Sequence, residues 1–278
     1  MIGNVFDKYQ IIQKIGGGNT GVVYKAFDPM NHRFLALKIL PNDFLISKEK
    51  KARFMREIQA AIILSHKAIA QMYDVGEVDG NNYIAMEYVD GHSYSQIIRS
   101  YSDGLDLERF NRLMIPILEG VAYAHKNHLI HRDLKPDNLK MTAAGQPKVL
   151  DFGLVKFLGK SPGNESFETM AGMVLGSAGY MSPEQAQGGA LSTSTDIFSL
   201  GVIMYEMLTG NNPYKGKNPF DTIMRIVNTQ PLSIELLRPD LPMDLCALVF
   251  KCLQREASMR YADAIELYNA ALALKNVS

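Results

Sequence analysis

Apolar and β-branched residues form short runs between turn-forming residues over the first ninety positions of the chain. These runs are YQIIQKIG at 9–16, GVVYKAFD at 21–28, RFLALKIL at 33–40 and YIAMEYV at 83–89. Runs of this kind, bounded by Gly, Asn, Asp and Pro, predict a meander of antiparallel strands. The segment 47–65 differs, because Phe54, Ile58 and Ile62 repeat at a helical period behind a Ser47 cap. It predicts one helix in this part of the chain.

The pattern changes to a helical period after about residue 90. Segments with this period are 106–127, 196–210, 220–229, 242–254 and 262–274. The intervening region 154–182 is rich in Gly, Ser and Thr without a period, and a loop of that length is usually functional or mobile. We therefore expect the α+β fold class, with a small antiparallel β lobe and one main helix at 1–89 and a larger, mostly helical lobe at 90–278.

The composition is that of an ordinary globular protein and gives no support for nucleic-acid binding or for a membrane span. The 278 residues are 47% hydrophobic and 21% charged, with 29 Lys plus Arg against 29 Asp plus Glu. A neutral balance does not favour nucleic-acid binding. The start, MIGNVFDKYQ, lacks the regions of a signal peptide, and no apolar run approaches the roughly 18 residues of a membrane span. We expect a soluble, cytoplasmic segment without membrane contact, or the cytoplasmic domain of a membrane-anchored protein if the native chain is longer.

The two cysteines, Cys246 and Cys252, are six residues apart in a helical pattern. That offset separates them by roughly 120° around a helix, which suits neither a shared metal ion nor a local disulfide. Two free thiols are typical of a reducing compartment.

A glycine-rich segment near the start of the chain is the first candidate for chemistry. Gly16, Gly18 and Gly21 form a GxGxxGxV pattern, in which backbone N–H groups can approach a polyphosphate. A plain hairpin turn is the alternative, and the β-branched residues that follow favour a strand over the helix of a dinucleotide-binding fold.

Lys38 lies in the apolar strand LALKIL. It either faces solvent or pairs with Glu57 on the following helix and contacts phosphate oxygens.

The segment HLIHRDLKPDNLKM at 128–141 concentrates ionisable residues without helical periodicity. A hairpin, LKM–TAAGQP–KVL, joins it to Asp151. Asp133 can orient a hydroxyl group, and Lys135 can neutralise a transferring phosphoryl group. Asn138 and Asp151 supply the hard oxygen ligands that Mg²⁺ prefers. A solvated surface loop is the alternative.

These motifs, in this order, resemble the protein kinase superfamily from residue 9 to about residue 270. The segments ILSHKAIAQMYDVGE, YIAMEYVDG and GYMSPEQAQG are similar to those of bacterial, eukaryotic-type Ser/Thr protein kinases. The resemblance implies a bilobal kinase fold and transfer of the ATP γ-phosphoryl group to Ser or Thr hydroxyls of protein substrates. It also implies ATP and Mg²⁺ as cofactors, with Mn²⁺ as an alternative.

The resemblance assigns roles by position. The catalytic positions are Lys38, Glu57, Asp133 and Lys135, and the metal ligands are Asn138 and Asp151. The ATP-binding positions are Ile15, Gly16, Gly18, Gly21, Val23, Ala36, Lys38, the gatekeeper Met86, the hinge residues Glu87 and Val89, and Lys140 in the floor under the adenine ring. The structural positions are His131, Phe152, Glu184, Asp196 and Arg260.

Two residues depart from the family pattern. Ser177 stands where Ser/Thr kinases usually have Thr, and its hydroxyl can still reach the catalytic loop. Lys140 stands where the adenine floor is normally apolar, so its stem must cover the base while its ammonium reaches outward.

The resemblance also implies autophosphorylation between residues 159 and 177. Thr169 is the first candidate and Ser166 the second. A phosphate there would pair with Arg132, which precedes the catalytic Asp133. A transient homodimer is one route to this reaction.

Two other functions remain open from the sequence. A pseudokinase scaffold is disfavoured by the intact Lys38, Asp133, Asn138 and Asp151, with only Lys140 in its favour. A small-molecule phosphotransferase of similar fold would lack the peptide-docking segment that 154–184 supplies.

Overall fold

In a computed structural model of the chain, the described residues are 2–18, 21–41, 58, 62–152 and 178–275. They form a six-stranded antiparallel sheet followed by a mostly helical lobe. Some predictions from the sequence lie outside these residues; they concern most of the helix at 47–65, Glu57, Ser166, Thr169 and Ser177.

The large sheet contains the predicted meander. Its strands are β1 (Val5–Phe6), β2 (Tyr9–Gly18), β3 (Gly21–Asp28), β4 (Arg33–Ile39), β5 (Met72–Val78) and β6 (Asn81–Glu87), in the spatial order β1-β2-β3-β4-β6-β5. The antiparallel pairing confirms the meander. Strands β1 and β5 were not predicted, because the first is two residues long and the second contains Asp74 and Gly76 among half-buried positions.

Strand β4 buries both of its faces, which explains its continuous apolar sequence. Leu35 and Leu37 pack in one core cluster together with Tyr9. Ala36 packs in a second cluster that includes Ile58. Since side chains alternate along a strand, Lys38 points to the same face as Ala36.

A small second sheet holds the chain that carries the candidate catalytic loop. Its strands are β7 (Gly91–Ser93), β8 (Leu139–Thr142) and β9 (Pro147–Val149), in the order β7-β8-β9. The antiparallel pair β8–β9 confirms the predicted hairpin between the loop at 128–138 and Asp151.

The helical lobe confirms the five predicted helices with ends shifted by a few residues. The helices are α1 (Tyr94–Arg99), α2 (Leu107–Lys126), α3 (Pro183–Ala186), α4 (Thr193–Thr209), α5 (Pro219–Asn228), α6 (Ile234–Leu237), α7 (Met243–Cys252) and α8 (Ala264–Lys275). The side chain of Asp106 caps α2 by accepting from the Arg109 N–H, and Gly210 ends α4 in the left-handed conformation at φ 71°.

Helix α4 runs through the centre of this lobe. Residues 194–205 are all buried, as expected of a helix that is apolar on all sides. Cys246 and Cys252 are free and buried beside it in α7. In the described part of the chain, no helix combines the length and apolarity needed to cross a membrane.

Candidate active site

The glycine-rich segment connects β2 and β3 as a hairpin. Gly16 pairs with Val23, and Gly18 pairs with Gly21. Gly21 has a φ of +116°, and a Cβ atom there would lie 2.1 Å from the carbonyl oxygen of Ile39, so only glycine fits. The glycines therefore join two strands, which excludes the helix-opening arrangement of a dinucleotide-binding fold.

Lys38 lies in the middle of β4, between β3 and β6. Its cross-strand neighbours are Val23 and Ile84. The residue is 5% exposed, so the solvent-facing alternative is wrong. Its Nζ donates a hydrogen bond to Oδ2 of Asp151 at 2.9 Å. The predicted ion pair with Glu57 stays a prediction, because Glu57 lies outside the described residues.

Asp151 follows β9 in a left-handed backbone conformation with φ 58°, a region that is uncommon for residues other than glycine. Burial raises the pKa of its carboxyl group. The ammonium of Lys38, which also donates a hydrogen bond to the carboxylate, and the ammonium of Lys135 oppose this effect, and they hold the pKa of Asp151 below its ordinary value. Asp151 is thus a carboxylate at neutral pH.

The candidate catalytic loop fixes Asp133 from two sides. Lys135 Nζ donates to Asp133 Oδ2 at 2.8 Å. Asn138, at the end of a short 3₁₀ turn, donates from Nδ2 to the Asp133 carbonyl oxygen at 2.8 Å and to Oδ2 at 3.1 Å. Within the described residues, Asp133 Oδ1 accepts no hydrogen bond. One carboxylate oxygen is therefore held in place while the other remains available.

Asp196 on α4 anchors the backbone of this loop. Its Oδ2 accepts from the N–H of His131 at 2.7 Å, and its Oδ1 accepts from the N–H of Arg132 at 2.8 Å. Nε2 of His125 lies 2.9 Å from Oδ2 of Asp196. Because the Ala264 N–H donates to Nδ1 of His125, the proton of the ring is on Nε2, which donates to Asp196. Burial raises the pKa of Asp196, but these donors outweigh burial and hold it below the ordinary value.

His131 is buried and joins the loop to the segment after β9. Its Nδ1 accepts from the Asp133 N–H at 3.2 Å, so Nε2 carries the proton that it donates to the Leu150 carbonyl oxygen at 2.8 Å. Its ring packs edge-on against Phe152, with centroids 4.7 Å apart. Both ring nitrogens are therefore occupied by hydrogen bonds to the backbone.

The connection between the lobes, residues 87–89, is called the hinge here. The gatekeeper candidate Met86 is buried and pairs with Ala36 across the sheet. Glu87 Oε2 forms an ion pair with Lys148 Nζ of β9 at 2.7 Å and also accepts from the Gln71 N–H at 3.1 Å. Glu87 therefore links the hinge to the β8–β9 hairpin.

Ile15, another of the predicted ATP-binding residues, lies on β2 and is 41% exposed.

Lys140, the residue that departs from the family pattern, extends from β8 to the hinge. Its Nζ donates to the carbonyl oxygen of Val89 at 3.0 Å. Burial lowers the pKa of the Lys140 ammonium, and the carboxylate of Asp90 opposes that effect. The half-buried Lys140 thus has a hinge carbonyl oxygen as its partner, a contact that the sequence did not indicate.

Glu184 and Arg260 form a bidentate ion pair in the helical lobe. The two guanidinium nitrogens lie 2.9 Å and 3.0 Å from the two carboxylate oxygens. Thr195 also donates to Glu184. Burial raises the pKa of Glu184, but Arg260 more than compensates and the pKa lies below the ordinary value. The pair fixes α3 against the start of α4.

Three further residues support the site and were missed from the sequence. They are His125, Lys148 and Gln185, whose Nε2 donates to the Arg132 carbonyl oxygen at 2.8 Å. His125 and Gln185 lie in helical segments where nothing in the pattern sets them apart. For Lys148, a charged residue in a short strand before Asp151 was a signal that could have been used.

The donor set fits a magnesium ion. Asn138 donates to Asp133 through its amide nitrogen. Its amide oxygen, Oδ1, accepts no hydrogen bond within the described residues. Asp151 likewise has Oδ1 without a donor among them. One amide oxygen and one ionised carboxylate, leaving room for phosphates and water, are the ligands that Mg²⁺ accepts.

Comparison with known proteins gives one family over nearly the whole chain. The model of the protein kinase domain matches residues 9–271. A probable serine/threonine-protein kinase of Clostridium acetobutylicum is 37% identical over 278 residues, which cover 99% of this chain and 41% of that protein. Serine/threonine-protein kinase PrkC of Bacillus subtilis is 35% identical over 260 residues, which cover 94% of this chain and 39% of PrkC. The chain thus spans about two fifths of the length of these relatives.

The fold is likewise similar to that of a solved kinase domain. The crystal structure of the Mycobacterium tuberculosis PknI kinase domain matches with a TM-score of 0.76 at 25% identity, covering 99% of both chains. The family match extends over both lobes and the cleft between them, and the chain therefore belongs to the protein kinase domain family.

Proposed function

We propose that this chain transfers the γ-phosphoryl group of ATP to serine and threonine hydroxyls of proteins. The observation that carries the proposal is the arrangement of Asp133: Lys135 and Asn138 hold its Oδ2, and its Oδ1 accepts no hydrogen bond from the residues that the structure describes. Beside it, the Lys38–Asp151 pair joins the β lobe to the helical lobe. The relatives named serine/threonine-protein kinases support the choice of acceptor.

In the proposed reaction, the substrate hydroxyl oxygen forms a bond to the γ-phosphorus, and the bond from that phosphorus to the bridging oxygen of ADP breaks. Asp133 Oδ1 accepts a hydrogen bond from the hydroxyl, orients it and takes its proton. Lys135 neutralises charge on the transferring group, and Lys38 contacts the phosphates that remain with ADP. The hinge backbone binds the adenine base.

Magnesium would be held by Asn138 and Asp151, with Mn²⁺ as an alternative of similar ligand preference. The metal, when bound, neutralises charge on the phosphates. The residues themselves contribute an ionised carboxylate, kept so by Lys38, and an amide oxygen on a loop fixed to Asp133.

A protein substrate is favoured over a small molecule by the segment that ends at Glu184. Its end is fixed twice, because Glu184 binds Arg260 and Gln185 binds the Arg132 carbonyl oxygen. A segment anchored beside the catalytic loop can present a surface on which a peptide lies extended.

Autophosphorylation within residues 159–177, at Thr169 first and Ser166 second, is part of the proposal. It rests on the position of these hydroxyls in the sequence and on the charge of Arg132, and a transient homodimer would bring one segment to a second active site. We also place the reaction in the cytoplasm, where ATP is abundant and the free Cys246 and Cys252 stay reduced.

The acceptor class is tested with three peptides that differ only in carrying Ser, Thr or Tyr at one position. With ATP and Mg²⁺, we expect phosphorylation of the Ser and Thr peptides and little of the Tyr peptide. Equal or preferential phosphorylation of the Tyr peptide would overturn the acceptor assignment.

A further inference from the structure

A cavity of about 280 Å³ lies inside the helical lobe, between helices α2, α4, α7 and α8. All but three of the side chains that line it are apolar. None of the lining residues belongs to the predicted ATP, metal or catalytic positions. Protein interiors are close-packed, with few voids larger than a water molecule, so a cavity of this size has room for a ligand.

The cavity is long and narrow. Along α2, every third or fourth residue from Leu107 to Leu118 lines it, so this wall lies on one face of the helix. At 1.5 Å per residue the wall is about 16 Å long, and a spherical cavity of the same volume would be only about half as wide. The volume is roughly twice that of the apolar cavity of about 150 Å³ that holds one benzene molecule, so it suits roughly ten carbon atoms.

The depth of the cavity is apolar and its mouth is polar. Met114 of α2 and Met204 of the central helix α4 are buried in its wall. The charged lining residues are Asp244, at the start of α7, and Lys275, at the end of α8; both are exposed. Neither forms an ion pair within the described residues. The two opposite charges offset each other, so the mouth favours neither an anionic nor a cationic head group.

We propose that this cavity binds one unbranched hydrocarbon chain of about ten carbon atoms, the chain of a medium-length alcohol or fatty acid. The methylene groups leave water for the apolar interior, and the polar head stays in water beside Asp244 and Lys275. The narrow shape favours a chain over a compact ring. The site is separate from the cleft, so the inference does not rest on the proposed phosphotransfer, and its failure would leave the proposed function untouched.

Methionine methyl groups report binding at this place. Titration of the methyl-labelled chain with decanol, followed by NMR, should shift the signals of Met114 and Met204. The signal of Met30, which is 79% exposed in the turn after β3, should not shift. Hexanol should bind about tenfold or more weakly, because four fewer methylene groups leave water. Decanoate and decylamine should bind within about threefold of decanol, because their heads lie in water between offset charges.

Ala271→Leu enlarges a buried side chain in the wall and should weaken decanol binding about tenfold or more, because it fills the space. Ala247→Leu makes the same change at an exposed position of α7 and should keep the wild-type affinity. Equal binding of hexanol and decanol by wild type, or unshifted Met114 and Met204 signals, would overturn the inference, and neither result needs a variant to fold. Unchanged decanol binding by folded Ala271→Leu would overturn it as well.

Discussion

At the scale of single residues, Asp133 and Asp151 each have one carboxylate oxygen that is held and one that accepts no hydrogen bond from the described residues. Lys135 and Asn138 hold Asp133 through Oδ2, and Lys38 holds Asp151 through Oδ2. The charge-assisted bonds fix the side chains before any substrate binds, and such preorganisation is what electrostatic catalysis requires.

The first prediction concerns the Lys38–Asp151 pair. Lys38→Met and Asp151→Asn should each lower phosphotransfer by about 10²–10³-fold or more, because each removes a charge that acts on phosphate or metal. Both proteins should remain folded. Steady-state kinetics with ATP and a protein acceptor measure the loss, and circular dichroism checks the fold. Near wild-type turnover of Asp151→Asn would contradict its assignment as a metal ligand.

Sequence patterns marked the candidate residues for chemistry more clearly than the residues that position them. Lys38, Asp133, Asn138 and Asp151 belong to local motifs whose residue types are unusual for their surroundings. The missed supporting residues act on distant partners: Lys148 is 61 residues from Glu87 in sequence, and Gln185 is 53 residues from Arg132. Such contacts depend on tertiary packing, which sequence periodicity and local spacing do not report.

At the scale of elements, α3 and α4 are joined by the buried ion pair between Glu184 and Arg260. Arg260 is 4% exposed and also donates to three backbone carbonyl oxygens, those of Ser194, Gln254 and Arg255. One guanidinium group therefore fixes the end of the segment that leads from Asp151 to α3, the start of α4 and the turn before α8.

Glu184→Gln is predicted to lower the free energy of unfolding at pH 7 by about 2–4 kcal/mol, because it leaves a buried guanidinium without its counter-charge. The folded pKa of Glu184 lies below its ordinary value of 4.5. The contribution of the carboxylate is therefore present above that value and is lost as the pH falls from about 5 through the folded pKa.

Chemical denaturation of both proteins at several pH values checks the sign. The stability difference between wild type and Glu184→Gln should shrink as the solution becomes more acidic. A difference that stays constant from neutral to acidic pH would contradict the role of this carboxylate.

Gly201 in the middle of α4 gives a second test at this scale. A Cβ atom there would lie 2.6 Å from Cβ of Cys252 in α7. Gly201→Ala should gain roughly 1 kcal/mol in helix propensity but lose about 1–3 kcal/mol through overpacking, for a net loss of stability. Urea unfolding measures the balance. A stabilised variant would show that α4 and α7 separate at little cost.

Element boundaries were predictable where the apolar period was long and capped. The segment 106–127 anticipated α2 (Leu107–Lys126), which Asp106 caps. Helix α1 was missed because its six residues give less than two turns of periodicity. Strand β5 was missed because its half-buried residues include Asp74, whose carboxylate accepts from Tyr9.

At the scale of the whole molecule, polar contacts tie the β lobe to the helical lobe around the cleft. Lys38 of β4 pairs with Asp151, and Glu87 of the hinge pairs with Lys148 of β9. In a third contact, Lys67 and His66 lie 3.1 Å and 3.8 Å from the two carboxylate oxygens of Glu119 in α2. The relative position of the lobes is thus set by several pairs, of which the Lys38–Asp151 pair is also part of the candidate chemistry.

Control by phosphorylation is predicted for the segment between Asp151 and α3. The active chain should carry phosphate within residues 159–177, first at Thr169 and then at Ser166, since a phosphate there can pair with Arg132 and order the segment. Mass spectrometry of wild type and of Lys38→Met locates it. The absence of phosphate in the active chain, or full activity of Thr169→Ala with Ser166→Ala, would contradict the switch.

The most direct measurement of the account follows the γ-phosphoryl group itself. The chain is incubated with γ-labelled ATP, Mg²⁺, a basic protein and a mixture of small hydroxyl compounds, and the label is counted in each fraction. Asp133→Asn, which keeps the shape of the side chain but cannot take the proton, is the control. The account predicts label on serine and threonine of protein with wild type and a loss of about 10²-fold or more with the variant. Label in the small-molecule fraction, or equal incorporation by both chains, would contradict it.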